Sequence, residues 1–266
     1  MNMKSNKIRL SALFMAVVMC FANYSFACTN FLITKGASKD GSTMVTYAAD
    51  SHTLYGELYY NRAAQYPEGT MIQVIDWDSG KPLIKIPQVA NTYTTVGNMN
   101  QWGLAIAETT YGGREELVDT TGGIDYGSLI YLTLQRAKNA REAIKQIAEF
   151  VDTYGYYSSG ESFSIIDENE VWIMELIGKG APVYNKKGKI DKRWTKGAVW
   201  VAMRVPDGYI SGHANHARIT TFAQETKGSF KSISSKKMKE IFRPEVEVVY
   251  SHDVITFASL KGYYTG

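Results

Sequence analysis

The sequence predicts an α+β fold with antiparallel sheets, and three observations carry that prediction. Short strand-like runs separated by turn residues occupy the chain from Thr29 to Ala107. Two segments with helical spacing follow side by side, and strand-like runs then resume. Strand–helix–strand crossovers and internal repeats are missing, which argues against a parallel α/β architecture.

The start of the chain reads as a leader. Lys4, Lys7 and Arg9 form a basic segment, and the apolar run from Leu10 to Phe21 is shorter than the roughly 20 residues a spanning helix needs. Ser25 and Ala27 are the small residues a signal peptidase requires at −3 and −1, so residues 1–27 read as an export signal cut ahead of Cys28. The expected location is periplasmic or extracellular. Removing 27 of the 266 residues leaves 239, enough for one substantial core or two small ones. Hydrophobic content of 45% and charge of 21% are ordinary for a globular protein. The net charge of +3 includes three basic residues of the leader, so the remainder is near neutral and gives no support to nucleic-acid binding. Later segments show no membrane span.

Cys28 would become residue one. A free N-terminal cysteine joins an α-amine of pKa roughly 7.7–8.0 to a thiol of pKa roughly 8.5. The amine can then take the thiol proton near neutral pH. The only other cysteine, Cys20, leaves with the leader, so Cys28 is an unpaired thiol in an exported chain. A lipoprotein anchored through Cys28 is the competing reading. That signal prefers Leu at −3 and a small residue at −2, where this chain has Ser25 and Phe26.

The remaining elements follow in order. Thr29 to Thr34 reads as a strand, Gly36 with Asp40-Gly41 as turn chemistry, and Met44 to Ala49 as the returning strand. A hairpin about that loop sets Cys28 opposite Asp50, where an aspartate would orient the amine; a plain strand-end aspartate fits as well. Gly56 to Gln88 reads as further hairpins, with Tyr55, Leu58, Tyr59 and Tyr60 as strand formers and Pro67-Glu68-Gly69 as a turn. Tyr93 to Gly97 and Gly103 to Ala107 flank Asn98-Met99-Asn100-Gln101, and Asn100 fits a site amide or a turn asparagine equally. After Gly112-Gly113 and Gly122-Gly123, a helix covers Ser128 to Ala137. A second is capped by Asn139 with Glu142 and stopped by Gly155. Phe163 to Ile166 and Val171 to Leu176 form another hairpin. His213 and His216 have a spacing that could hold a metal, but no glutamate lies between them and no third ligand is evident, so neither metal nor cofactor is expected. Asn215 is a candidate oxyanion donor. Lys227, Lys231, Lys236, Lys237 and Lys239 read as a solvated face, and Val254 to Tyr264 as an apolar segment.

Several of these stretches carry a resemblance. Cys28-Thr29-Asn30 with Gly36-Ala37-Ser38-Lys39-Asp40-Gly41-Ser42 resembles the mature start of the cysteine-nucleophile Ntn-hydrolase dipeptidases of the dipeptidase A type. Asn100-Gln101-Trp102-Gly103-Leu104-Ala105 is similar to their second motif. Gly160-Glu161-Ser162-Phe163, Pro206-Asp207-Gly208-Tyr209 and Asn215-His216-Ala217-Arg218-Ile219 extend the resemblance over nearly all of the chain after the leader. Choloylglycine hydrolases and penicillin V acylases are more distant relatives. The resemblance implies a four-layer αββα sandwich over residues 28–266 and metal-free hydrolysis of a small dipeptide substrate through a thioester. Carried over by motif, Cys28 is the nucleophile, Asp50 holds the amine, and Asn100 and Asn215 serve the oxyanion. An amide, bile-salt or penicillin acylase of the same superfamily is the alternative. A homo-oligomer is compatible with the sequence. Two departures stand out. Relatives often carry arginine where this chain has Tyr47, and they are usually much longer, so the chain resembles the N-terminal portion of a larger enzyme.

Overall fold

The computed structural model describes residues 27–50 and 56–265; the predicted leader before Ala27, and Tyr55, lie outside them. Seven-residue strands β1 (Ala27–Ile33) and β2 (Met44–Asp50) form the expected hairpin. Between them Asp40 accepts hydrogen bonds from Ser42 N (3.1 Å) and Ser42 Oγ (2.7 Å), and Gly41 takes φ +75°. Strands β3 (Tyr60–Asn61), β4 (Met71–Ile75), β5 (Pro82–Pro87), β6 (Thr95–Val96) and β7 (Met99–Asn100) are short. Strand β8 (Ala105–Gly112) runs five residues beyond the predicted end at Ala107 and carries Glu108, Thr109 and Thr110 with it.

The helix pair forms, the first helix starting and ending earlier than the expected Ser128 to Ala137. In α1 (Tyr126–Leu134) the Asp125 carboxylate accepts from Ser128 N (3.4 Å) and also from Trp77 N (3.0 Å). In α2 (Ala140–Tyr154) Asn139 Oδ1 accepts from Glu142 N (2.9 Å), and the Glu142 carboxylate accepts from Lys138 N (2.8 Å), one residue ahead of a standard capping box. Gly155 ends the helix at φ +82°. Ile144, Ile147 and Val151 are all 0% exposed, and each such side chain contributes about 1.5–3 kcal/mol by its burial. The remaining elements are β9 (Gly160–Ile166), β10 (Val171–Gly178), β11 (Ala198–Arg204), β12 (Ile210–His213), β13 (Ser232–Ser234), β14 (Val248–Tyr250) and α3 (Val254–Leu260).

Three sheets result: β12-β1-β2, the nine-stranded β13-β14-β11-β10-β9-β8-β7-β6-β3, and the β4-β5 hairpin. Every pair of strands is antiparallel except β13–β14, which is parallel. Alternation along the large sheet sends Ile106, Phe163, Ile165, Trp172, Met174 and Trp200 against α1 and α2. The other face packs Ala105, Ile166, Val171 and Ile173 on Leu32 and Val45 of the small sheet. The described residues therefore stack helices, large sheet and small sheet. Phe257 of α3 packs on Val199 and Leu117, beside the small sheet. On the outer face of the small sheet Phe31 is 51% exposed among the described residues.

The small sheet is fastened at its turn end. Thr34 Oγ1 accepts from Gly208 N (2.9 Å) and Tyr209 N (3.1 Å), and Asp207 accepts from Gly36 N (2.6 Å). A Cβ on Gly36 would lie 2.8 Å from Asp207 Oδ2, so this turn needs glycine at that position. The Pro206–Tyr209 motif thus docks β12 onto β1.

Candidate active site

Strand β1 lies between β2 and β12, and its even-numbered residues face the large sheet. Asn30 and Leu32 are 0% exposed and Cys28 9%, whereas Phe31 between them faces solvent. Asn30 Nδ2 donates to Ser164 Oγ (3.0 Å), tying the strand to β9. Cys28 therefore heads the central strand of the small sheet, with its thiol turned inward.

The two reactive positions of Cys28 meet different partners. Its backbone N–H donates to Asn215 Oδ1 (2.5 Å). Its thiol lies 3.8 Å from Glu108 Oε1 as donor. Asn215 has φ +48°, the one non-glycine residue with positive φ among the described residues, a conformation that asparagine tolerates better than most. Its Nδ2 donates to Thr110 O (2.6 Å), which bridges the start of β1 to β8. The loop behind it is held by Glu175, which accepts from the backbone N–H groups of Arg218 and Ile219.

Glu108 is the hub of the site. Tyr47, opposite Asn30 and so on the same inner face, donates its hydroxyl to Glu108 Oε1 (2.6 Å). Glu161 on β9 stands opposite Thr110 and accepts from Thr110 Oγ1 at Oε2 (3.0 Å). Glu108 Oε2 and Glu161 Oε1 are both buried without a protein donor. One proton between the two carboxyls satisfies both atoms. Burial, then the Glu108 charge, pushes Glu161 well above the usual carboxyl range, so Glu161 is the member that keeps that proton.

The thiol pays for this company. Burial, then Glu108, Glu161 and Asp50, pushes Cys28 up to about 12. The Tyr47 hydroxyl is raised by burial and then by Glu108. Among the described residues no ion pair involves Glu108 or Glu161, and no cationic side chain pairs with the carboxyls that crowd the thiol.

The predicted residues fare differently. Asp50 pairs with Ala27, while Cys28 pairs with Ala49. The register is one residue from the predicted one, and a one-residue slip changes face. Asp50 is thus exposed on the outer face, although its charge still reaches the thiol. Asn100 stands apart from Cys28. Its Nδ2 donates to Leu134 O (2.8 Å) and Ala137 O (2.7 Å), and its Oδ1 accepts from Trp102 N (2.9 Å) and Leu104 N (3.2 Å). All four hydrogen-bonding positions are spent on closing α1 and the β7–β8 turn, which leaves no donor for an oxyanion. Asn215 does join Cys28, but as an acceptor. His213 sits between Ser162 Oγ (3.2 Å) and Ser164 Oγ (2.9 Å). Burial, then Arg218, lowers His213 to about 4. Among the described residues no group of three metal-ligating side chains converges.

An inward-turned thiol, an acceptor on the Cys28 backbone nitrogen and a buried carboxyl pair beside it make a site suited to nucleophilic acyl chemistry. The chain belongs to peptidase family C69, whose profile matches residues 27–265. The resemblance read from its motifs holds at the level of that family. The chain is 26% identical over 255 residues to probable dipeptidase A of Streptococcus pyogenes serotype M18 (strain MGAS8232), covering 86% of this chain and 47% of that protein. It is 26% identical over 231 residues to dipeptidase A of Lactobacillus helveticus, covering 79% and 44%. Probable dipeptidase B of Lactococcus lactis subsp. lactis (strain IL1403) is 23% identical over 243 residues, covering 85% and 47%. The chain spans about half the length of these curated relatives. Among solved structures, penicillin V acylase from Agrobacterium tumefaciens aligns with TM-score 0.28 and 12% identity over 70% of this chain and 49% of that one, too remote to bear on the fold.

Proposed function

We propose that the chain is exported, cut ahead of Cys28, and hydrolyses dipeptides with Cys28 as nucleophile. The observation that carries this is the division of labour at Cys28: its N–H is held by Asn215 Oδ1 (2.5 Å) while its thiol points elsewhere, to Glu108 (3.8 Å). Cutting before Cys28 turns that nitrogen into an amine beside its own thiol. The amine takes the thiol proton, and the new ammonium stabilises the thiolate against the neighbouring carboxylates. The thiolate attacks the peptide carbonyl, the ammonium returns its proton to the leaving amino group, and water cleaves the thioester. Asn215 aligns the amine as acceptor, and Asp50 adds negative charge that favours the ammonium. In the full architecture we place the three layers within an αββα sandwich. The names of the curated relatives favour a dipeptide over another amide.

The test is the mass of the mature N-terminus together with hydrolysis by that form. A free Cys28 and release of amino acids from dipeptides are expected. Acylation on Cys28 would overturn the reading in favour of a membrane-anchored module. Cleavage of penicillin V or a conjugated bile salt with no cleavage of dipeptides would overturn it in favour of an acylase.

A further inference from the structure

The mechanism above uses the Cys28 amine and thiol but gives no work to Glu161, which is 0% exposed, or to the carboxyl it faces, Glu108, 3% exposed. Interiors do not keep ionised carboxylates without compensation. Here two donors, the Tyr47 hydroxyl and the Cys28 thiol, converge on Glu108 Oε1, which marks Glu108 as the acceptor carboxylate of the pair. Glu161 carries the shared proton, and Thr110 steadies it. Glu108 is thus the hydrogen-bond acceptor of the pair, and no lysine or arginine among the described residues pairs with either carboxyl.

Geometry says what the pair is for. The α-nitrogen of an amino acid sits two bonds from its carbonyl carbon. When the Cys28 sulfur meets that carbon, the substrate α-nitrogen lies within a few ångströms of the sulfur. Glu108 Oε1 already lies 3.8 Å from it. The Cys28 nitrogen, in contrast, is turned to Asn215.

We propose that the Glu108–Glu161 pair is the receptor for a free α-ammonium on the residue whose carbonyl is attacked. This inference rests on the dipeptidase reading and deepens it: the site selects substrates with an unblocked N-terminus. Glu108 supplies the charge, Glu161 holds it in place through the shared proton, and Tyr47 fixes its orientation. The ammonium in turn offsets the charge that otherwise opposes the thiolate, so an N-blocked substrate loses both binding and turnover.

The experiment compares kcat/KM for a dipeptide and its N-acetyl form, using the chain cut ahead of Cys28. The unmodified enzyme should favour the free form by about 10- to 100-fold, the scale of one hydrogen bond to a charged group. Glu161→Gln keeps a neutral donor facing Glu108 and should retain the preference. Glu108→Gln combined with Glu161→Gln removes the charge while keeping both shapes and should bring the ratio close to one, chiefly through a higher KM for the free dipeptide. Should the double variant slow both substrates equally and leave the ratio unchanged, the pair serves Cys28 alone and the inference fails while the dipeptidase reading survives. Equal rates on free and N-acetyl substrates by the unmodified enzyme would have the same consequence. Failure of the cut enzyme to hydrolyse either substrate would remove the dipeptidase reading, and this inference with it.

Discussion

Asn215 is the residue at which two chemical roles predict opposite results. As an acceptor it holds the Cys28 nitrogen through Oδ1; as an oxyanion donor it would act through Nδ2, which instead reaches Thr110 O (2.6 Å). Asn215→Ala deletes both hydrogen bonds, each about 0.5–1.5 kcal/mol, and puts alanine at positive φ for about 1 kcal/mol more. Stability should fall by about 2–4 kcal/mol. Asn215→Gly, free of the φ cost, should recover about 1 kcal/mol of that. Asn215→Asp is the decisive variant, because it keeps an acceptor and gives it charge. A charge-assisted bond is roughly twice as strong as a neutral one, a gain of about 1 kcal/mol for the ammonium. At 1.36 kcal/mol per pKa unit the amine rises by about 0.7 unit. Only the neutral amine accepts the thiol proton, so the acid limb of kcat/KM against pH should move up by about 0.7 unit. Stopped assays of dipeptide hydrolysis between pH 5 and 9 would show it. An acid limb that stays put or moves down, with Asn215→Asp as inactive as Asn215→Ala, would refute the acceptor role.

Two further predictions concern the frame around the site. Arg141 makes a two-pronged contact with Glu170 (2.7 and 2.6 Å), donates to Arg243 O (2.7 Å), and stacks on Trp172 at 5.2 Å. Arg141→Ala strands a carboxylate whose other cation, Arg204, is 3.5 Å away, so stability should drop by about 3 kcal/mol. That lowers Tm by about 6–12 °C in a scanning fluorimetry trace; a shift under 2 °C would show that the network adds nothing. His213, held near 4 in the fold against 6.5 when unfolded, binds a proton first in the unfolded chain as pH falls. It should therefore remove up to about 3 kcal/mol of stability between pH 6.5 and 4, a window that His213→Gln flattens. Urea midpoints across that range test the point, and parallel slopes in the two proteins would contradict it.

Much of the fold was legible because its signals are local. The Asn139–Glu142 cap, the stripe Ile144, Ile147, Val151 and the stop at Gly155 each state their own structure, and α2 obeys them. The β9–β10 hairpin follows from strand patterns about a short turn, and the existence of the β1–β2 hairpin from two strand patterns about a longer one. The site was less legible for two physical reasons. Strand side chains alternate with a period of two, so a one-residue error over a long turn moved Asp50 from the thiol's face to the outer one. A carboxylate after an apolar run reads as the end of burial, whereas β8 continues past Ala107 through the buried Glu108. The matching signal was Glu161 inside the motif Gly160-Glu161-Ser162-Phe163, a second carboxylate in a strand that turns out to be buried throughout. Asn100 fits a turn and a site equally by residue type. Its four hydrogen bonds, two to the distant Leu134 and Ala137 carbonyls and two to Trp102 and Leu104 of its own turn, decide for the turn.

The account turns on one claim, that the α-amine of Cys28 is the base. With Ala27 attached that nitrogen is an amide, and the buried thiol is pushed up to about 12. The most direct measurement compares dipeptide hydrolysis by the uncut chain and by the same protein cut ahead of Cys28, at neutral pH. General acid–base catalysis contributes about 10²–10⁴-fold, so the cut form should exceed the uncut one by at least that factor. Equal rates in the two forms would contradict the claim and pass the role of base to a side chain, with Glu108, 3.8 Å from the thiol, first in line.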